Sequence, residues 1–446
     1  MSTDREPGQV TARWAALVGG ALFVALAVWL VPWDPIPGGP LEPVPATDVL
    51  TPEQIERAEQ FSRWARVWSY GSLAVSLAFV CFLGFSRHGQ RLVQRLPGPW
   101  WAQTLLAVAA VELLRRLVTL PFAVAQRQHR LDYGLSTQSW DGFAVDLAKS
   151  EALSIMVTGV ALVVVLAVAR RWRRAWPAVV GGLLGAFVLV ASFGYPLLVE
   201  PIFNDFDSLP GGELRTAVLE VAEAEGVALD DVLVVDASRR TTTLNAYVSG
   251  FGNTRRVVLY DTLVDDLPAD QALSVVAHEL AHAKHQDVVV GSVLGAAGVV
   301  AAAGLLALVV LGAQRRRPAP MGPAVVPLLL ALFAVGSLLA APIENGISRR
   351  IELRADVEAL RVTQDPEAFV AVQRRLAQRS LADPTPPALL HWWFSSHPSS
   401  RSRLGLVKAM CGVRAMAGVK PPDDQGLSTT PPCSSLVLVS SKAPPT

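Results

Sequence analysis

Long apolar segments alternate with polar segments along the chain, and this alternation predicts a protein that crosses a membrane several times. Each apolar run approaches or exceeds the roughly 20 residues that a helix needs to cross about 30 Å of hydrocarbon. The first run follows Arg5 and Arg13, as in a signal peptide, but no convincing cleavage site comes after it, so we interpret it as an uncleaved span. We predict seven transmembrane helices, at about 14–31, 67–86, 100–120, 152–169, 177–198, 288–312 and 323–342.

The third predicted span is interrupted by three charged residues, Glu112, Arg115 and Arg116. Charge inside a bilayer is costly, so these side chains are expected to face protein or water. Two interpretations stay open. Either Glu112 pairs with Arg116 one helical turn away, or the three side chains line a wet cavity within the membrane.

The largest polar segment, about 199–287, separates the fifth and sixth predicted spans and indicates a small α+β domain. Its first part, 212–226, alternates at helical period, and Pro268 begins a second helix that we predict to run through Asp287 into the sixth span. Between the helices, three short strands are predicted at Val232–Val235, Asn245–Ser249 and Arg256–Tyr260, the last two joined by the turn residues Gly250 to Thr254.

The second helix of this segment contains the sequence His278-Glu279-Leu280-Ala281-His282. Two imidazoles four residues apart share one helix face and can bind one metal ion. Catalytic zinc usually takes three protein ligands and leaves a fourth position for water, so another ligand must come from elsewhere in the chain. Glu352 and Asp356 lie four residues apart on the helix that follows the seventh span and offer two carboxylates on one face.

A short link, 314–322, makes spans six and seven an antiparallel hairpin, so the helices that flank them emerge on the same side of the membrane. By the helical rise, His282 lies roughly 9 Å and Glu352 roughly 15 Å beyond the membrane. We therefore predict one zinc ion per chain, bound by His278, His282 and Glu352, with Glu279 as general base. Asp356 is predicted to hydrogen-bond a ligating His. The alternative is a buried helix with ordinary hydrogen-bonded His.

Composition supports a membrane protein. Apolar residues make up 51% of the chain and charged residues only 17%, against roughly 25% charged in soluble domains. The formal net charge of +1 gives no electrostatic case for nucleic-acid binding. The expected partners are the lipid bilayer and a peptide or protein substrate, and the expected location is the cell membrane, with several spans.

Several further segments resemble one known family. They are Pro201-Ile202-Phe203-Asn204, Asn245-Ala246-Tyr247 with Gly250, Leu259-Tyr260-Asp261-Thr262-Leu263, the His-Glu-x-x-His sequence with His285 and Asp287, Ser348-Arg349-Arg350-Ile351-Glu352 through Ala355-Asp356, and Ser396-His397-Pro398 with Arg403. On these residues the chain resembles the M48 family of zinc metallopeptidases, in particular the type I CAAX prenyl proteases. The resemblance covers most of the chain up to about residue 407.

The resemblance implies a role for each matching position. Glu352 would be the third zinc ligand, and Asp356 would support a ligand. The strand around Asn245 and Ala246 would bind the substrate backbone by strand addition. His397 would lie near the site and contact substrate or stabilise the oxyanion. The seven helices would enclose a large water-filled chamber that houses Glu112, Arg115 and Arg116.

The predicted fold class is a predominantly α-helical polytopic membrane protein with a small α+β zincin-like catalytic domain containing a short antiparallel sheet. Five regions follow: an N-terminal membrane region with five spans (1–198), the first part of the catalytic domain (199–287), a transmembrane hairpin (288–342), the second part of the catalytic domain (343–410), and a Pro/Ser/Thr-rich tail that we predict to be disordered (411–446).

Several alternatives stay open at this point. An HtpX-like quality-control protease of the same family would have fewer spans. The alternative from a different class is a non-catalytic membrane scaffold or transporter with a vestigial site. A vestigial site is expected to lose some of its residues, whereas both His, Glu279 and Glu352 are present. His285 is interpreted as a supporting or surface residue rather than a ligand. Arg349 and Arg403 are interpreted as membrane-proximal surface charges. For Arg349, pairing with a site carboxylate is a second open alternative.

The orientation in the membrane gives conflicting indications. With seven spans, the N-terminus and the links at 87–99, 170–176 and 313–322 share one side and are rich in arginine. The positive-inside rule then places the N-terminus in the cytoplasm and the catalytic domain outside. The eukaryotic members of the resembled family imply the opposite arrangement.

Overall fold

Helices account for most of the residues that the computed structural model describes, which are 8–37, 41–316 and 321–416. Local sequence explains where several of them begin. Thr51 and Gln54 form a capping box at the start of the second long helix, and the Ser139 hydroxyl caps the helix at Trp140. In chain order the first helices are α1 (Gln9–Leu30), α2 (Pro52–Phe85), α3 (Arg87–Gln94), α4 (Trp100–Asp132), α5 (Trp140–Arg171), α6 (Trp176–Leu198) and α7 (Glu200–Phe203).

Six helices in the described part of the chain are long and apolar enough to cross a membrane. They comprise α1, α2, α5, the continuous stretch α6–α7, and two later helices. The third span of the prediction corresponds to α4, whose 33 residues pack between α2 and α5 but carry too much charge to meet the same composition criterion. The seven predicted spans are therefore these six helices together with α4. The polytopic helical fold class is confirmed.

The charged residues of α4 are paired within the protein. Arg115 lies 2.6 Å from the Glu112 carboxylate on its own helix, and Arg116 lies 2.6 Å from Glu151 on α5. The predicted partners were therefore wrong: Glu112 pairs with Arg115 instead of Arg116, and Arg116 pairs with Glu151. The three side chains are not among the residues that line the large cavity described below, and their place in a water-filled chamber stays a prediction.

A small sheet and one helix follow the first bundle. The strands are β1 (Phe206–Ser208), β2 (Asp231–Val235), β3 (Ala246–Ser249) and β4 (Arg256–Tyr260), with α8 (Glu213–Glu225) between β1 and β2. Their order in the sheet is β1-β2-β4-β3. The predicted β3–β4 hairpin is antiparallel, but β2 and β4 are parallel, because β3 reverses the chain between them. The sheet is therefore mixed rather than antiparallel, and β1 was not predicted.

The remaining elements are helical and include the helix with the His-Glu-x-x-His sequence. That helix ends at Lys284, and Gln286 adopts a left-handed conformation with φ of 54° before the next helix begins at Asp287. The predicted continuous helix through Asp287 is thus wrong, because the chain turns at 285–286. The elements are α9 (Asp261–Asp266), α10 (Ala269–Lys284), α11 (Asp287–Arg316), α12 (Val326–Thr363), α13 (Pro366–Ser380), α14 (Ala388–Phe394) and α15 (Ser400–Met416).

The final helix changes the interpretation of the tail. Residues 411–416 belong to α15, so the predicted disordered region does not begin at 411. The remainder of that prediction, 417–446, lies outside the described residues. Helix α12 continues without a break past Pro342 and carries the chain from the membrane to the metal centre.

The two helices of the predicted membrane hairpin, α11 and α12, are antiparallel but splayed. Along most of its length α11 packs on α1 and α6, whereas α12 packs on α2. Glycine allows the closest of these approaches: a Cβ at Gly19 would lie 2.5 Å from the backbone nitrogen of Ala301, and one at Gly304 would lie 2.4 Å from that of Ala16. The space left between α11 and α12 is part of a large cavity.

This close packing predicts a stability difference between two glycines of α11. Replacing Gly304 with Val forces α1 away from α11 and is expected to destabilise the protein by about 1–3 kcal/mol. The Tm of the purified protein in detergent measures the effect. The control is Gly312→Val on the same helix, since a Cβ there meets nothing within 4 Å. Equal Tm values for the two variants would contradict the packing described.

Candidate metal centre and active site

His278 and His282 from α10 and Glu352 from α12 bring three ligand atoms together. The Nε2 atoms of the two imidazoles are 3.2 Å apart. Glu352 Oε2 lies 3.4 Å from Nε2 of His278, and Glu352 Oε1 lies 3.6 Å from Nε2 of His282. Ligands at roughly 2.0–2.1 Å from a tetrahedral zinc ion stand about 3.3 Å from one another. The three groups therefore fit a single metal ion.

The helix that carries the two imidazoles is held by its opposite face. Val276 and Leu280 are fully buried in a core formed with the sheet and α8, which leaves His278, Glu279 and His282 facing the cavity. The burial of this apolar face fixes the rotation of α10.

Each imidazole has a carboxylate at its other nitrogen. Asp287 Oδ2 accepts a hydrogen bond from His282 Nδ1 at 2.9 Å. Asp356 Oδ1 lies 2.9 Å from His278 Nδ1, although the N–H is poorly aligned with that oxygen. Such carboxylates orient the ring and leave Nε2 free for a metal. Asp356 stands where the sequence placed it, whereas the contact of Asp287 was not predicted.

Two arginines hold these carboxylates in turn. The Arg403 guanidinium from α15 lies 2.7 Å from Glu352 Oε2 and 3.1 Å from Asp356 Oδ1, and Arg354 from α12 pairs with Asp287. Arg403 is 8% exposed, so its interpretation as a surface charge was wrong. Arg349 contacts the backbone carbonyls of Trp392 and Ser395 rather than a site carboxylate.

The electrostatics of the site favour a cation between the rings. Burial lowers the pKa of His278, but its contacts with Asp356 and Glu352 outweigh burial and raise the pKa to about 10. The pKa of Glu279 is raised above its ordinary value, because the effect of burial exceeds the lowering effect of the neighbouring imidazoles. Glu279 lines the same cavity as the two His and is therefore placed to exchange a proton there.

Of two other His residues, His397 lies beside the three ligand groups, whereas His285 is not one of them. His397, in the link before α15, has its Nε2 3.5 Å from Glu352 Oε2, and its side chain is 62% exposed. It lies beside the three ligand atoms with its ring open to the cavity. His285 caps the end of α10 and is not among the three groups that could hold a metal.

A cavity of about 1810 Å³ extends from the metal centre into the membrane region. Its polar end is formed by the metal centre. Its remaining walls are largely apolar and come from α1, α6, α11 and α12, for example Phe23, Val188, Leu305 and Phe333. The splaying of α11 and α12 opens this space, and the sequence pattern alone did not reveal which residues face it.

Strand β3 lies at the edge of the sheet and on the wall of the same cavity. The carbonyl of Asn245 accepts a hydrogen bond from Tyr260 on β4, so the backbone of Asn245 faces the sheet. Because alternate residues of an antiparallel strand point their N–H and C=O groups to opposite sides, those of Ala246 and Val248 point away from β4. The open edge is thus formed by Ala246 and Val248.

Comparison with known proteins agrees with this architecture. Residues 208–410 match peptidase family M48, and residues 43–205 match the CAAX prenyl protease N-terminal region of five membrane helices. Over 366 residues the chain is 30% identical to the uncharacterized metalloprotease YhfN of Bacillus subtilis, covering 80% of this chain and 85% of that protein. The chain belongs to peptidase family M48. It is a membrane-embedded metallopeptidase, and the alternative of a non-catalytic scaffold is not supported.

Other M48 relatives point in the same direction. The chain is 30% identical over 186 residues to CAAX prenyl protease 1 of Saccharomyces cerevisiae, covering 41% of this chain and 40% of that one. The crystal structure of S. mikatae Ste24p has the same fold, with a TM-score of 0.73 at 21% identity, and covers 88% of this chain and 99% of that chain. These similarities confirm the family resemblance predicted from the sequence.

The hydrogen bond from His282 to Asp287 predicts a role in metal affinity. Replacing Asp287 with Asn removes the charge that orients the ring and leaves Arg354 without its partner. We expect metal affinity to fall roughly 10- to 100-fold, measured by competition between the purified protein and a chelator. The matched control is Asp270→Asn at the exposed start of α10. If both variants bind metal like the unchanged protein, Asp287 has no orienting role.

Proposed function

We propose that this M48 metallopeptidase is a zinc-dependent endopeptidase that hydrolyses peptides or membrane-associated proteins at the mouth of the cavity. The observation that carries the proposal is the fit of His278, His282 and Glu352 to one tetrahedral metal ion, with Glu279 facing the same space. Two imidazoles and a carboxylate form a donor set that suits zinc and leaves one position for a reactant. One ion per chain satisfies this site.

The residues around the ion would divide the chemistry between them. A bound zinc ion supplies Lewis acidity at this point. Glu279 takes the proton of the attacking water and passes it to the leaving amine. His397, beside Glu352 and open to the cavity, donates a hydrogen bond to the oxygen of the scissile carbonyl as charge develops there. Asp356 and Asp287 keep the two ligating rings in position.

The substrate would bind as an extended strand along β3. Ala246 and Val248 offer backbone N–H and C=O groups on the open edge, and the edge lies on the cavity wall that leads to the metal centre. Strand addition uses such groups and places alternate substrate side chains in pockets. The Asn245 carbonyl already accepts a hydrogen bond from β4, and Asn245 lies on the same cavity wall.

The apolar part of the cavity suits a substrate that carries an extended apolar group beside the scissile bond. Several relatives of this chain are named CAAX prenyl protease 1. A prenylated peptide has such a group, and burying a hydrocarbon chain stabilises a complex by about 0.8 kcal/mol per CH₂. A prenylated peptide is therefore the first substrate to test, next to the same peptide without the lipid.

Replacing Glu279 with Gln tests the proposed chemistry. The variant keeps both His and Glu352, so it is expected to bind one zinc per chain while its rate of peptide cleavage falls about 100- to 10,000-fold. The measurement combines metal analysis with cleavage of one peptide in prenylated and unmodified forms. Chelator treatment is expected to abolish cleavage by the unchanged protein, and added zinc to restore it.

The control for this experiment is Glu223→Gln on the exposed face of α8, which changes a carboxylate far from the cavity. Cleavage that survives the Glu279 change would refute the proposed general base. Cleavage of the two peptide forms at equal rates would instead show that the apolar cavity does not select for a lipid.

Strand addition predicts that the open edge of β3 sets the affinity for substrate. Val248→Pro removes one outward N–H without breaking a hydrogen bond to β4, so KM is expected to rise by up to about tenfold while kcat changes little. Val248→Thr keeps the N–H and the branched shape and serves as the control. Steady-state kinetics on one peptide distinguish the two; an unchanged KM in the Pro variant would exclude this strand from substrate binding.

A further inference from the structure

Eight arginines lie at the end of the helix bundle opposite the metal centre, and we call them the arginine collar. Three contacts bring their segments together. The Thr11 hydroxyl donates to the Arg174 carbonyl, the Arg170 guanidinium lies 5.1 Å from the Trp100 ring centroid, and α3 packs against the residues that begin α12. The collar consists of Arg13, Arg87, Arg91, Arg95, Arg170, Arg171, Arg173 and Arg174.

The collar carries positive charge that no described residue neutralises. All eight side chains are exposed, and none forms an ion pair with any residue in the described part of the chain. The links at 87–99, 170–176 and 313–322 contain no Asp or Glu. At the other end, acidic residues outnumber basic ones in 31–66 and 121–151. Within the described residues the collar therefore has no counter-charge, and it is open to anionic groups from outside the protein.

The collar lies at the depth of a membrane interface. Trp14, Trp101 and Trp172 are exposed at the same end, where indole rings are typical of the boundary between hydrocarbon and headgroups. Helix α11 runs from Asp287 at the metal centre to Arg316 among the links of the collar. Its 30 residues span about 45 Å at the helical rise, which equals the full thickness of a bilayer with its headgroups.

We propose that the arginine collar binds the headgroups of anionic phospholipids in the cytoplasmic leaflet, so that the active site opens on the opposite face of the membrane. Guanidinium groups bind phosphate through paired hydrogen bonds, and the cytoplasmic leaflet is the one that concentrates anionic lipid. The proposal depends on the charge distribution and the length of α11, and it holds whether or not the proposed peptidase mechanism is correct.

Cysteine labelling in intact cells tests the orientation. In the full chain with Cys81, Cys411 and Cys433 replaced by Ser, one variant carries Gly211→Cys on the exposed surface of the catalytic domain and another carries Gln90→Cys in the collar segment. A membrane-impermeant maleimide is expected to label the first variant in intact bacterial cells and the second only after lysis. The reverse pattern would overturn the proposal.

Lipid dependence tests the collar itself. The Tm of the purified protein is expected to rise when phosphatidylglycerol is added, but not with phosphatidylcholine or inorganic phosphate at the same concentration. The double variant Arg173→Gln, Arg174→Gln is expected to lose part of this rise. The control, Arg63→Gln with Arg350→Gln, removes two exposed arginines at the catalytic end and is expected to keep it. An equal rise in all three proteins, or with all three additives, would refute a specific collar.

Discussion

Two arginines hold the carboxylates of the metal centre, which lies beside a gap in the membrane bundle. Its ligands come from α10 and α12, whereas the membrane helix α11 that continues from α10 leans away from α12. Arg403 joins Glu352 and Asp356, and Arg354 joins Asp287, which lies at the start of α11. Carboxylates removed from water need such partners. Removing one partner destabilises a protein by far more than the intact pair stabilises it. The cavity and the metal site can coexist because these contacts lie outside the membrane.

Much of the site was predictable because it is local in sequence. The His278–His282 spacing follows from helix geometry, and the four-residue spacing of Glu352 and Asp356 places both on one face of α12. The short link between the membrane helices then brings these faces to one side. The family resemblance added His397, which the structure places beside Glu352. For these residues, short-range periodicity and one topological argument were sufficient.

The remaining features depend on contacts between distant segments, which one sequence does not display. The turn at Gln286 interrupts a stretch with good helical pattern, and it is needed for Asp287 to reach His282. The parallel pairing of β2 with β4 depends on which side of β4 the hairpin strand occupies. The partner of Arg116 is Glu151, 35 residues away on another helix, whereas the charge spacing in the sequence indicates only neighbours on α4.

The ion pair between Arg116 and Glu151 also bears on how the chain enters the bilayer during synthesis. A lone charged residue in the middle of an inserting helix costs roughly 2.5–3.5 kcal/mol, and less near the bilayer edge. When α4 leaves the ribosome, the carboxylate that neutralises Arg116 has not yet been made. Waiting for α5 removes that cost, so the two helices enter most favourably together, as a preformed hairpin. The weakly apolar composition of α4 is therefore compensated by the order in which its neighbour is synthesised.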